Sequence, residues 1–296
     1  MDKSTFYVER INKVVDYIET NLPNKIDLES LAQVACLSKF HFHRIFYAFT
    51  KESLYNFINR LRLERAAALL LNQKHTITYI AFNCGFNDSA TFSRAFKKHF
   101  KLTAINWRRK NSKIHQAFKP SKKYTYNKNE KDNIRMISVE VKILPETRIA
   151  YTRHTGVYAG NSKLFNTLYK RVLNWGRSLK LINYPATKNI IVYHDPMEIS
   201  PRAKLRISVG ITIKDDVPTQ GAIGKMSIAK GRYIFCKFKL KADEYRQAWN
   251  KIYREVIPQR GLQPREGQCL EFYSHNCYDK QSKKTTVEMV VPIEKI

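Results

Sequence analysis

Acidic residues are scarce: 25 Asp and Glu stand against 53 Lys and Arg in 296 residues, a formal net charge of +28. That balance points to a polyanionic partner, nucleic acid first and an anionic membrane surface second. Cysteine is scarce too. Cys36, Cys84, Cys236, Cys269 and Cys277 are odd in number and form no CxxC pair, which argues against a disulfide framework or zinc ribbon and fits a reducing compartment. Their expected role is that of small buried apolar residues. No stretch approaches ~18 uninterrupted apolar residues, so no membrane span is expected. The opening MDKSTFYVERINK lacks an apolar h-region, so no secretory signal is expected and the cytoplasm is the expected compartment. Also missing are HExxH, GxGxxG, GxxxxGK and a Ser-His-Asp order, and His154 and His194 stand alone. No catalytic residue, metal or cofactor is therefore expected.

What is present suggests about two domains. From residue 6 to 110 the apolar residues recur at helical spacing. Ile11, Val14, Val15, Ile18 and Leu22 share one face. Asp27 is placed to cap a helix carrying Leu28, Leu31, Ala32 and Ala35. Ser38 is placed to cap the next, with Phe42, Ile45, Phe46 and Phe49 expected inward. Ser53 precedes a long helix to Leu71, and further helices are expected near 77–84 and 88–99. Residues 111–136 are Lys- and Asn-rich and read as a linker. From residue 137 to 296 strand and helix patterns alternate: VEVKIL, RIAYTRH, a helix through Phe165 to Leu173, NIIVYHD and LRISVGITI. The net charge of the three parts is +9, +5 and +14, so basicity is spread over the whole chain.

Two internal repeats stand out. The run from Phe42 to Phe46, FHRIF, recurs fifty positions later as Phe92 to Phe96, FSRAF. A short apolar helix with an alanine (Ala32, Ala81), a tight turn and a capping residue (Ser38, Asp88) precedes each copy. That pattern is helix–turn–helix used twice. The intervening helix of about 27 Å is long enough, with its turns, to set two recognition helices about one DNA turn apart. In the C-terminal part, at an offset of eighty, Tyr169, Val172 and Leu173 match Trp249, Ile252 and Tyr253. Tyr193 matches Tyr273, Val209 and Ile213 match Met289 and Ile293, and RIAYTRH matches RYIFCKF with a four-residue loop difference. The expected unit is strand–helix–strand–strand used twice, with a ligand cleft between the copies.

These residues carry a resemblance. The stretches LAQVACLSKFHFHRIF and ITYIAFNCGFNDSATFSRAFKKHF resemble the DNA-binding domain of the AraC/XylS family, its Rob/MarA branch especially. Where that family usually has glycine and proline in the last turn, Lys101 and Ala104 stand here. From the outward face and the resemblance, Phe40, His43 and Arg44 in the first recognition helix, and Ser89, Ala90, Thr91 and Arg94 in the second, are expected to read bases. Lys39, His41, Lys97, Lys98 and Arg108 are expected at phosphates.

The part from Ser138 on, through LPETRIAYTRHTGVYAG, IVYHDPMEISPRAKLR, EYRQAWNKIY and CLEFYSHN, resembles the GyrI-like effector-binding domain, in which an aromatic cleft holds a central glutamate. By position this is Glu271, where the first copy has Ile191. A carboxylate at an apolar strand position needs a purpose, and cation binding among aromatics supplies one. Tyr245, Trp249, Tyr151, Tyr193 and Tyr273 are the candidate cleft residues, and Glu288 competes with Glu271. The domain's own +14 opposes a cationic ligand at long range, so ligand charge stays open.

The fold expected is multidomain: an all-α double helix-turn-helix domain (1–110), a linker (111–136) and an α+β domain of two pseudo-symmetric repeats (137–296). Its expected partners are double-stranded DNA, a small effector and RNA polymerase, with a DNA-binding domain competent as a monomer. Two other readings remain: a GyrI-like small-molecule hydrolase fused to a DNA-binding domain, and a nonspecific nucleoid-type binder, against which the two helix–turn–helix units argue.

Overall fold

In a computed structural model the described residues are 3–71, 75–116, 134–197, 199–214 and 216–295. The chain divides into two units. One holds Met1–His115 with Pro196–Ser200 and Thr219–Gly224, and the other holds Gln116–Asp195, Pro201–Pro218 and Lys225–Ile296.

Among the described residues the first unit contains seven helices: α1 (Lys3–Thr20), α2 (Leu28–Val34), α3 (Lys39–Thr50), α4 (Leu54–Leu71), α5 (Ile77–Asn83), α6 (Ser89–Phe100) and α7 (Ala104–Gln116). Their starts follow the local chemistry. Side chains of Asp27, Ser38, Thr76 and Asp88 accept from the backbone N–H three residues on, satisfying a donor that the first turn leaves free. Residues 41–50 and 91–100 show the same order of buried and exposed positions, as the sequence repeat implies. Phe49, expected inward, is instead 41% exposed, because the helix face that meets the core ends at Phe46. Cys36 is likewise exposed, in the turn after α2. The helix α7 runs through the first six residues expected as linker, and residues 117–133 of that linker lie outside the described residues.

α4 serves two cores. Phe57, Ile58 and Leu61 join α1, α2 and α3 in one, while Leu63, Ala66, Ala67 and Leu70 join α5 and α6 in the other. At the changeover lie Arg60 and Glu64, 7% and 3% exposed. Arg60 donates to Glu64 at 3.3 Å and to Glu52 at 3.2 Å, so no charge is buried alone. Arg62 donates to Leu22 O and Asn24 O and fixes the end of α1 to the strut.

Among the described residues the second unit contains α8 (Ser162–Ser178), α9 (Tyr245–Lys251) and ten strands. The strands are β1 (Met136–Leu144), β2 (Thr147–Thr155), β3 (Asn189–Tyr193), β4 (Arg206–Thr212), β5 (Gly224–Ile228), β6 (Gly231–Leu240), β7 (Leu262–Pro264), β8 (Cys269–Tyr273), β9 (Tyr278–Asp279) and β10 (Lys284–Lys295). β1, β2, β3, β4, β6, β8 and β10 meet the expected patterns. β5, β7 and β9 are short and carry no alternation that would mark them.

The sheet order is β1-β6-β10-β8-β3-β4-β2-β5, with the short strands β7 and β9 on β10. β1 and β2 lie at opposite ends of that order, yet two residues join them; the same holds for β5 and β6. Connections so short require the sheet to roll until its ends meet. The rolled interior is a core of Ile149, Tyr151, Ile190, Val192, Tyr233, Phe235, Leu270 and Phe272, among others. The outer face carries α8 and α9. Gly176 lets α8 press onto β4: a Cβ there would lie 2.7 Å from Ile211 Cδ1.

The Lys101 departure has a structural counterpart. Lys101 closes α6 at φ +58°, a left-handed position where a side chain costs about 1–2 kcal/mol and glycine does not. Lys101→Gly is therefore expected to stabilise the chain by about 0.5–1 kcal/mol, after the greater freedom of glycine in the unfolded chain is subtracted. A rise in thermal midpoint measures it, and an unchanged or lower midpoint contradicts it.

Candidate functional site

The two recognition helices, α3 and α6, present their N-terminal halves to solvent. Phe40 is 88% exposed, an extreme value for a phenylalanine, and His43 and Arg44 are exposed beside it. On α6, Ser89, Ala90, Thr91 and Arg94 are exposed. Arg94 donates to Thr91 Oγ1 at 3.2 Å, which holds the guanidinium over the start of the helix. Asp88 caps the same turn through Thr91 N at 2.7 Å, and that bond holds its carboxyl below the usual range. The first helix is thus bulky and aromatic at its exposed N-terminal end, and the second is small and hydroxylated.

Of the expected phosphate contacts, Lys97 and Lys98 are exposed in the last turn of α6. Lys39 pairs with Glu29 at 3.1 Å, and His41 shares a hydrogen bond with Tyr7 Oη at 3.1 Å while remaining exposed. Arg108 departs from expectation. It is half-buried, and its Nη2 donates to His75 O at 2.7 Å, tying α7 to the turn before α5. The apolar body of α7 packs on α6 and draws Arg108 inward, so its first task is structural.

The second candidate centre is Glu271, in the middle of β8. Antiparallel pairing sets it opposite Ile191 on β3 and Met289 on β10. Alternation turns it to the helix-covered face with Cys269 and Tyr273, where it is 1% exposed. Three donors meet the carboxylate. Trp249 Nε1 from α9 donates at 3.0 Å, Tyr273 Oη at 2.6 Å, and Tyr193 Oη from β3 also bonds it. Burial pushes the Glu271 carboxyl above its usual value, and the three hydrogen bonds oppose that push. The same burial, with the Glu271 charge nearby, raises Tyr193, Tyr273 and Tyr169 well above the ordinary phenol range and takes Tyr245 to about 12.

The surrounding aromatics form one continuous set. Tyr193 meets Trp249 edge-on at 5.8 Å, Trp249 stacks on Tyr253 at 6.2 Å, and Tyr158 lies 6.0 Å from Tyr193. The hydroxyl of Tyr169, on α8, is buried there without a hydrogen-bond partner among the described residues. After Lys251 the helix α9 widens into a π-helical turn, Ile252–Val256, a local irregularity common where helices serve a site.

Thus Glu271, Tyr193, Trp249, Tyr245 and Tyr273 come together as expected. Tyr151 and Glu288 do not. Tyr151 is wholly buried in the rolled interior, because its neighbour Thr152, not Tyr151, shares the face of Glu271. Glu288 sits one residue before Met289, the partner of Glu271, so alternation sends it to the opposite face, 3.8 Å from Lys188. Tyr253, on the helix expected to roof the cleft, joins the cluster, and sequence reasoning missed Tyr158, Phe165 and Tyr169 as members of it. The offset-eighty match of Tyr169 with Trp249 was the signal that pointed to Tyr169. Among the described residues no three His, Cys, Asp or Glu side chains gather as metal ligands would.

Comparisons with known proteins match both parts of the chain. Residues 138–294 match the model of the GyrI-like small molecule binding domain, and residues 31–110 that of a helix-turn-helix domain. The uncharacterized HTH-type transcriptional regulator YbfP of Bacillus subtilis is 37% identical over 97 residues, 33% of each chain. The probable transcription factor PqrA of Proteus vulgaris is 35% identical over 100 residues, 33% of this chain and 82% of that protein. The crystal structure of the EcmrR C-terminal domain is similar over 54% of this chain and 98% of that one, at 16% identity and a TM-score of 0.41. The match thus spans about a third of the length of YbfP.

A raised carboxyl makes stability depend on pH in a defined direction. Folding binds the Glu271 proton more tightly than the unfolded chain does, so its contribution is full in acid and is lost as pH rises through the raised value. Relative to Glu271→Gln, the wild type is expected to lose unfolding free energy as pH rises above the ordinary glutamate value, because the unfolded carboxyl ionises before the folded one. Urea denaturation of both chains as pH is raised checks it. A constant difference would mean that the carboxyl is no harder to ionise folded than unfolded.

Proposed function

The chain belongs to the GyrI-like small molecule binding domain family, and with an AraC-type helix-turn-helix domain ahead of that part we propose that it is a sequence-specific DNA-binding transcription regulator that senses a small amphipathic molecule. The DNA-binding module comprises residues 1–110, the linker 111–136 and the effector domain 137–296. Relatives named as transcriptional regulators favour this over a hydrolase reading. The chain works in the cytoplasm, where DNA and RNA polymerase, its further partner, are found. No helix among the described residues is long and apolar enough to cross a membrane.

The bases are read by Phe40, His43 and Arg44 on α3 and by Ser89, Ala90, Thr91 and Arg94 on α6. Lys39, His41, Lys97 and Lys98 hold phosphates. Exposure of all these residues and the Arg94–Thr91 bond support the assignment. Because one chain carries both reading helices, the module acts as a monomer on a bipartite site. Arg44→Ala and Arg94→Ala are each expected to cost about 1–3 kcal/mol of specific binding and to relax base preference at one position. Lys97→Ala should weaken all DNA alike and lower the salt slope by about one. Binding-site selection with each variant measures both effects, and an unchanged motif for Arg94→Ala removes α6 from base reading.

The effector domain consists of two copies of one strand–helix–strand–strand unit. Supporting this, the sheet order reads the same from either end when β1 exchanges with β5, β6 with β2, β10 with β4 and β8 with β3. On that reading Ile191 and Glu271 are equivalent residues that pair with each other, so Glu271 lies on the symmetry axis. The observation that carries the effector reading is this sealed carboxylate among aromatics. Its three donors satisfy it without a ligand, so an effector must displace Trp249 or Tyr193. A flat ligand with a cationic or donor group replaces both the lost hydrogen bond and the lost ring contact. The partnerless Tyr169 hydroxyl offers it a further polar anchor.

Glu271→Gln is expected to weaken a cationic aromatic effector by about 2–5 kcal/mol and a neutral one of equal size far less. DNA affinity without effector should be unchanged. Calorimetric titration with the matched pair decides: equal losses, or none, remove Glu271 from the site.

A further inference from the structure

Behind Glu271, where β1 turns into β2, the second unit has an open cavity of about 480 Å³, within the ordinary size of ligand pockets. Its inner wall carries Phe235 from β6 and Phe272 from β8, the neighbour of Glu271 that faces the other way. Four lysines line it: Lys142 on β1, Lys180 and Lys188 around the segment leading into β3, and Lys214 after β4. None of the described wall residues is a carboxylate. Two of the lysines are partly offset, Lys142 by Glu140 at 3.1 Å and Lys188 by Glu288 at 3.8 Å. Lys180 and Lys214 have no ion pair among the described residues. Lys142 Nζ stands 4.2 Å over the Phe235 ring and Lys188 Nζ 5.7 Å from that of Phe272, so positive charge is held against the aromatic wall.

The corresponding corner, where β5 turns into β6, is built differently. There Arg265 lays its guanidinium on the Tyr233 ring at 5.0 Å and fills the space beside Gly231 and Gly267. A rolled sheet of this kind can therefore close its corner with its own side chain, and the β1–β2 corner is left open.

We propose that the β1–β2 corner is a second small-molecule site, selective for an organic anion with a flat apolar body, such as an aryl carboxylate. The rings of Phe235 and Phe272 with Ile143 and Leu144 take the apolar body, and the lysines take the charge. The charge preference is opposite to that of the Glu271 centre, so the two sites admit different molecules.

Equilibrium dialysis of the full chain against 2-naphthoate, with 2-naphthalenemethanol as the neutral control, tests this. Saturable binding of one naphthoate is expected, about tenfold tighter than that of the alcohol. Lys180→Ala/Lys214→Ala should weaken naphthoate by about tenfold, as two solvent-screened charges are lost. Ile143→Trp, which narrows the mouth without changing charge, should also weaken it, and Glu271→Gln should leave it unchanged. The proposal is overturned by an absence of saturable binding, by equal affinity for the alcohol, by indifference to both corner variants, or by a loss in Glu271→Gln. The last would place the anion at the other centre. Unchanged circular dichroism melts of the variants confirm that the comparison is between folded proteins.

Discussion

A carboxylate at the centre of a ten-stranded sheet has no access to water, and the second unit is arranged around that constraint. Leaving Glu271 unpaired would cost several kcal/mol. The donors that meet it come from three elements: Trp249 from α9, Tyr193 from β3 and Tyr273 from its own strand. Each is an aromatic with a polar tip, so one side chain supplies both the hydrogen bond and the apolar wall. The site's polarity and its apolar lining are consequently the same residues. No effector can exchange one without disturbing the other.

The first unit answers a different constraint. Seven helices among the described residues, two of them only seven residues long, make too little core for two independent helix–turn–helix motifs. Sharing α4 between two cores solves this, and the buried Arg60–Glu64 pair marks where its apolar face changes sides. The spacing of α3 and α6 is thereby set by one rigid element rather than by a loop. The exposed starts of the two helices differ, with Phe40 on α3 and small, hydroxylated residues beside Arg94 on α6.

How much was legible in the sequence varied with the physics behind each feature. Helices with capping residues and a periodic apolar face were legible, since both signals are local. Glu271 was legible because a charge broke an apolar strand whose counterpart, Ile191, kept the pattern. Tyr151 and Glu288 were misplaced for one reason: a one-residue shift along a strand moves a side chain to the opposite face, and composition does not reveal the phase. Arg108 looked like any other surface arginine until the packing of α7 fixed its direction. The rolled sheet was illegible, since pairing of β1 with β6 and of β2 with β4 depends on partners far apart in the chain. The open corner and its plugged counterpart followed from that rolling and were equally hidden.

Though the last strand in order, β10 lies inside the sheet, hydrogen-bonded to β6 and β8 and carrying β7 and β9. During synthesis the strands from β1 to β8 therefore emerge before the element that joins them. The helices of the first unit, with contacts between near neighbours, have what they need to form early. The sheet must wait, with β6 and β8 exposing unpaired edges that invite association with other chains until β10 inserts. A polypeptide stalled before residue 284 would thus carry assembled reading helices beside an unfinished, aggregation-prone sensor. Bound to DNA in that state, it would be blind to any effector.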